Sequence, residues 1–203
     1  MDEKRRMILF SAIAGAAALP LMGTEAATTP ATKQKTEPRQ AWAHKDGRIR
    51  MLAPSAVSAT ANPMDYLLIH EAFARYGMAH DEVQIDILAA LFTDDAVLEV
   101  AKGSGKPFQS VKGGKAIVAN FANVLSQQLD QRRHCFTNIL IEKLEGDEAS
   151  SLAYGLVSVA ADGLILVATV FYAADLKRGP DGHWRFTRLF IGMDDYVTPP
   201  PKV

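Results

Sequence analysis

RHCFTNILIEKLEGDEASSLAYGLVSVAADGLILVATVFYAADLKRGPDGHWRFTRLF, residues 133–190, is the stretch whose reading decides the fold. It is rich in β-branched and aromatic residues, and turn residues interrupt it at Glu145-Gly146-Asp147, Ala161-Asp162-Gly163 and Gly179-Pro180-Asp181-Gly182. Such residues suit a pleated surface and such interruptions suit hairpins. The pattern predicts four consecutive antiparallel strands. On the first, period two puts His134, Phe136, Asn138 and Leu140 on one face and Cys135, Thr137, Ile139 and Ile141 on the other. Cys135 is then expected to be a small, buried, apolar residue. On the last strand the same rule groups Trp184, Phe186, Arg188 and Phe190.

Upstream the period changes to that of helices. Asn62, Pro63 and Asp65 make a strong helix start, because Asn caps free N–H groups, Pro is pre-set for the first turn and Asp suits the dipole. Leu68, Ile69, Ala72, Phe73 and Tyr76 then lay an apolar stripe along a helix running to about His80. Ile85, Leu88, Leu91 and Phe92 trace a second, shorter helix that ends in a turn at Thr93-Asp94-Asp95, before a strand at AVLEV, residues 96–100. Lys102 to Pro107 reads as a loop. After Gly113-Gly114, residues Ile117, Phe121, Val124, Leu125 and Gln128 trace a third helix. Helices followed by a strand meander imply an α+β domain over residues 62–198, with about three N-terminal helices closing one face of a curved antiparallel sheet and leaving a cavity. Residues 199–203 form a tail.

The start of the chain reads differently. Lys4, Arg5 and Arg6 precede the apolar run MILFSAIAGAAALPLMG, which gives way to TEAATTPATKQ. That order is an export signal over residues 1–26, with cleavage near Ala26 and a periplasmic or secreted product. Paired arginines before a moderately apolar run also match a twin-arginine signal as well as a general one. The run is broken by Pro20 and falls short of the ~20 apolar residues of a membrane span, so no stable anchor is expected after cleavage. Residues 27–61 hold no lasting period and read as a disordered linker.

Composition narrows the functions. With 22 Lys+Arg against 23 Asp+Glu the formal net charge is −1, so no global field favours nucleic acid. One cysteine permits neither an intrachain disulfide nor a thiolate metal cluster. Long apolar strands such as LILVATVFYAA read as buried on both faces, which predicts a homo-oligomer.

The runs YGMAHDEV, ALFTDDAVLEV, RHCFTNILI, VFYAAD and DGHWRFTR, in that order, resemble the SnoaL-like branch of the nuclear transport factor 2-like superfamily. The resemblance covers Asn62 to about Asp195 and implies a cone-shaped α+β barrel whose mouth holds a small, mostly apolar ligand and which associates through its sheet as a homodimer or homotrimer. It maps the Asp–His pair of the dehydratase and dehydrochlorinase members onto Asp81 and His134, and the tyrosine and arginine of the bile-acid enzyme onto Tyr76 and Arg188. Phe73, Phe136, Asn138, Tyr172 and Phe190 are then expected to line the substrate. The implied chemistry needs no cofactor and no metal: His134 removes a proton from carbon, Asp81 fixes its tautomer, and Tyr76 and Arg188 hold the developing charge. Elimination or isomerisation of a small cyclic molecule follows.

Blander roles stand beside these. His134 is also explained as a core histidine, Tyr76 as packing on the apolar stripe, Asp81 as a cap for Val83 or Gln84, and Arg188 as a surface ion pair. His80, Asp81 and Glu82 offer metal-ligand chemistry in a row, but neighbouring helical residues diverge in direction. The alternative to an enzyme is a non-catalytic periplasmic domain that binds a small ligand or serves assembly.

Overall fold

The computed structural model describes residue 52 and residues 55–102, 106–128, 130–161 and 163–196. The expected export signal, most of the expected linker and the tail lie outside them. Among the described residues no helix is long and apolar enough to cross a membrane.

The chain runs β1 (Ala56–Val57), α1 (Pro63–Asp81), α2 (Ile85–Ala90), β2 (Phe92–Lys102), β3 (Gln109–Lys112), α3 (Gly114–Leu125), β4 (Gln131–Glu145), β5 (Glu148–Ala161), β6 (Gly163–Arg178) and β7 (Trp184–Tyr196). The fold is α+β, and β4 to β7 form the expected meander. Two features of the sheet differ from expectation. Its order is β1-β4-β5-β6-β7-β2-β3, an open sheet and not a closed barrel. It is also mixed, since β1 runs parallel to β4 and β2 parallel to β7. Ala56–Val57 falls in the stretch assigned to linker, and pairs with Lys143 and Leu144.

α1 begins as its residues dictate. Asn62 Oδ1 accepts the Met64 N–H at 3.0 Å, with Pro63 in the first turn. Asp65 also fixes the helix to the far end of the meander, because its buried carboxylate accepts the Trp184 indole N–H at 3.0 Å. α1 and α3 cover one face of the sheet, and the main core of Ile69, Phe73, Tyr76, Leu98, Ile117, Phe121, Phe186 and Leu189 lies between.

Thr93-Asp94-Asp95 is not a turn. These residues lie within β2, whose pairing with β7 is irregular between Phe92 and Val97. The Thr93 hydroxyl donates to Asp95 at 2.7 Å, as in a turn of this composition, but the strand continues through it.

Candidate functional site

The site forms where α1 meets β4. Gly77 makes the approach possible: a Cβ there would stand 3.0 Å from the Phe136 ring and 3.2 Å from His134 Cβ. One turn later α1 ends at Asp81, whose carboxylate reaches β4 twice. Its Oδ2 accepts the His134 backbone N–H at 2.7 Å, and its Oδ1 lies 2.5 Å from His134 Nδ1. The carboxylate is therefore committed to the strand and does not cap α2. The backbone N–H of Gln84 goes instead to the Ala79 carbonyl at 2.8 Å. Both partners are almost fully buried, with side chains 4% and 5% exposed.

Three more polar rings gather here. Tyr76, His80, His134 and Tyr172 share a small cavity with Val100, Phe121, Val157, Val170 and Ile191. Its volume is about 10 Å³, room for the centre of a single water. Burial, and secondarily the Asp81 carboxylate, push the Tyr76 phenol well above its usual pKa. Burial, with Tyr76 and then Asp81, does the same to Tyr172. Both remain O–H groups at neutral pH. Burial holds the His80 imidazolium far below its ordinary range, and the His134 and Arg132 side chains add to that. His80 is neutral.

Of the residues expected at the site, Asp81, His134 and Tyr76 are brought together, and Tyr172 joins them. Phe136 packs on Tyr172 with ring centroids 4.8 Å apart, and Phe73 packs on Phe136 at 5.4 Å. Three others are placed elsewhere, and β-bulges are the cause. On β4 the register slips between Thr137 and Leu140, and Asn138 adopts φ 51°. The face then changes: Asn138 and Leu140 are exposed, while Ile139 and Ile141 turn to the core. On β7 the register slips opposite Asp175/Leu176, between Phe186 and Arg188. Trp184 and Phe186 stay on the helix side, followed by Leu189, Ile191 and Met193. Arg188 and Phe190 point the other way, so neither is a group of the cavity. Phe190 packs with Ala101, Leu152, Phe171 and Ala173. Arg188 donates to Glu99 Oε2 at 2.7 and 3.0 Å. Cys135 does face away from His134 but is exposed, because that face of the sheet carries no helix layer.

Two residues were missed as site groups. Arg132 shares the inward face of His134 by the same period of two, is 1% exposed, and donates to Asp130 Oδ1 at 2.8 Å. His80, expected to diverge from its neighbour Asp81, is the other. Its ring in fact stands edge-on to His134, with centroids 4.6 Å apart. Its Nδ1 is buried and has no hydrogen-bond partner among the described residues, an Asp81 oxygen lying 3.9 Å away. Glu82 does diverge, and pairs with Arg133 at the surface.

A larger hollow of about 230 Å³ lies on the other side of α1, between α2 and the start of β7. Its rim cations are already paired, Arg75 with Glu71 and Arg185 with Asp181.

Known proteins share this fold. The profile of the SnoaL-like domain matches residues 64–189. No sequence among curated proteins matches significantly. Among solved structures, a protein from Novosphingobium aromaticivorans provisionally described as an aromatic ring hydroxylase is 29% identical with a TM-score of 0.55, over 69% of this chain and 94% of its own. A protein from Catenulispora acidiphila, solved in complex with S-DNPA, is 26% identical with a TM-score of 0.56, over 65% and 95%. A Nostoc punctiforme protein of unknown function with a cystatin-like fold is 25% identical with a TM-score of 0.56, over 66% and 94%.

Proposed function

Because this chain belongs to the SnoaL-like domain family, whose members support a small-molecule-binding or isomerase/cyclase-type role, we propose that it is a cofactor-independent lyase or isomerase with His134 as its general base. The observation that carries this reading is the 2.5 Å contact between His134 Nδ1 and Asp81 Oδ1 beside a small cavity. With the Nδ1 proton given to Asp81, His134 Nε2 keeps a lone pair to accept a proton from substrate carbon. Charge then gathers on a carbonyl or leaving hydroxyl, where the protonated Tyr76 phenol donates a hydrogen bond. The proton on Nε2 leaves with the departing hydroxyl in an elimination, or returns to another carbon in an isomerisation. Arg188 has no part in this scheme. The substrate is a small, largely apolar cyclic molecule, in keeping with the aromatic and aliphatic walls.

One observation favours a second reading. The rings of Phe73, Tyr76, Phe136 and Tyr172 fill the helix-covered face so well that only a water's volume is left, and a catalytic pocket requires them to move. A non-catalytic binding or assembly domain requires no such motion. Native mass spectrometry for co-purified small molecules, followed by turnover of the compound recovered, separates the two. On the enzyme reading His134→Ala lowers kcat by about 10²–10⁴-fold while Arg188→Ala leaves it unchanged. Equal activity in His134→Ala and the unaltered chain overturns that reading.

The protein is further proposed to be exported through its N-terminal signal and to pair with a second copy through the uncovered sheet face. Tyr154 and Leu156 are 51% and 42% exposed there, beside the cluster of Phe171 and Phe190. Arg188, Glu99 and Asp175 supply charges of both signs at this face, which suits self-association. N-terminal sequencing of the exported form and sedimentation at micromolar concentration test the two statements.

A further inference from the structure

His80, Asp81 and His134 each offer a donor atom, and the three atoms lie within 4.8 Å of one another. From this cluster we infer a binding site for a first-row divalent transition ion, with two imidazole nitrogens and one carboxylate oxygen as ligands.

His80 Nδ1 supplies the independent observation. It belongs to a side chain that lines the cavity and is 2% exposed, and among the described residues it has no hydrogen-bond partner, a costly state for a buried polar atom. A cation coordinated by this nitrogen removes that cost. Imidazole and carboxylate together suit Zn²⁺, Fe²⁺, Ni²⁺ or Cu²⁺ rather than Mg²⁺ or Ca²⁺. The adjacent cavity accommodates one water-sized occupant, enough for a solvent ligand to complete the coordination shell.

The movements required are small. Adjacent ligands of one ion at about 2.1 Å stand roughly 3.0–3.4 Å apart. Asp81 Oδ1 lies 2.5 Å from His134 Nδ1 and 3.9 Å from His80 Nδ1, so one gap opens and the other closes, each by less than about 1 Å, while the two imidazole donors, within 4.8 Å of each other, close by up to about 1.8 Å through rotation of their rings. Asp81 Oδ2 can keep its bond to the His134 N–H throughout and hold the carboxylate in place.

Coordination and base catalysis exclude each other at His134. A metal on Nδ1 displaces the proton that Asp81 now accepts. That proton moves to Nε2 and fills the lone pair that would receive the substrate proton. An ion at this site therefore switches the proposed base off.

The test uses the full chain, stripped with a chelator and titrated with Zn²⁺ by calorimetry and with Co²⁺ by visible absorption. One ion per chain is expected, with cobalt d–d bands from nitrogen and oxygen ligands. His80→Gln and His134→Gln should each weaken Zn²⁺ binding at least about tenfold. His70→Gln, on the exposed side of α1, should leave it unchanged. No binding by the unaltered chain overturns the inference even if a variant fails to fold. Undiminished binding in both His80→Gln and His134→Gln overturns it as well. Because no substrate enters the measurement, its failure leaves the base reading standing, and failure of the base reading leaves the metal site standing.

Discussion

The two faces of the central sheet carry the same kinds of residue and use them in opposite ways. On the helix-covered face the side chains of Asp81, His134, His80, Arg132 and two phenols are buried, where a charge or polar atom left unmatched is costly. On the uncovered face Arg188 meets Glu99 with its side chain 38% exposed, and water shares the task. An ion pair on the first face is a geometric commitment, whereas one on the second contributes little beyond solubility. The difference teaches that burial, not residue type, decides which acid–base groups of this chain are candidates for chemistry.

That contrast breaks most visibly at the dyad. Asp81→Ala leaves the His134 backbone N–H and ring N–H without their acceptor in a buried setting, and should cost about 1–3 kcal/mol of unfolding free energy for each of the two. Glu99→Ala, which strips Arg188 of its partner, should cost under about 1 kcal/mol. Urea denaturation of the two variants makes the comparison, and equal losses would erase the distinction between the faces.

A smaller effect is expected where α1 touches β4. Gly77→Ala inserts a methyl group against Phe136 and His134, and overpacking of this kind costs about 1–3 kcal/mol. Because the added atom wedges the helix from the strand just before Asp81, the His134 ring resonances in NMR spectra should shift with it.

His80 gives the inner face a pH dependence. Its folded-state pKa lies below the unfolded value, so between the two the unfolded chain binds more protons and stability increases with pH. The contribution is fully present above about pH 6.5 and is lost as the pH falls toward the depressed value, with a slope of up to about 1.4 kcal/mol per pH unit. Melting temperatures from pH 7 to 5 should fall less steeply in His80→Gln than in the unaltered chain.

The slightest change in monomer stability is expected on the uncovered face. Leu156→Lys replaces an exposed apolar side chain and should alter unfolding free energy by no more than about 0.5 kcal/mol. It should nevertheless lower the sedimentation coefficient if that face pairs with a second copy.

Much of this was legible in the chain. Asn62-Pro63 marked the start of α1, the three turn clusters marked the hairpins of the meander, and one strand of alternating residues put His134 and Phe136 on a common face. The short strands escaped notice. β1 is two residues long and β3 four, runs too short for a period of two to show. The site was legible only as far as its periods held. Asp81 and His134 are 53 residues apart, and nothing local in either segment requires them to meet.

The sequence by itself determined the α+β class, the order of the three helices and the five long strands, and the face that His134 shares with Phe136, because these follow from periods of two and 3.6 and from residues that cap helices or bend turns. Tertiary structure alone decided that Asn138, Arg188 and Phe190 leave the site and that His80 enters it. One added residue in a strand reverses every side chain beyond it, and the backbone shows that insertion where composition does not. His80 turns inward because α1 ends against β4, and the orphaned nitrogen that makes it interesting is a property of what surrounds it.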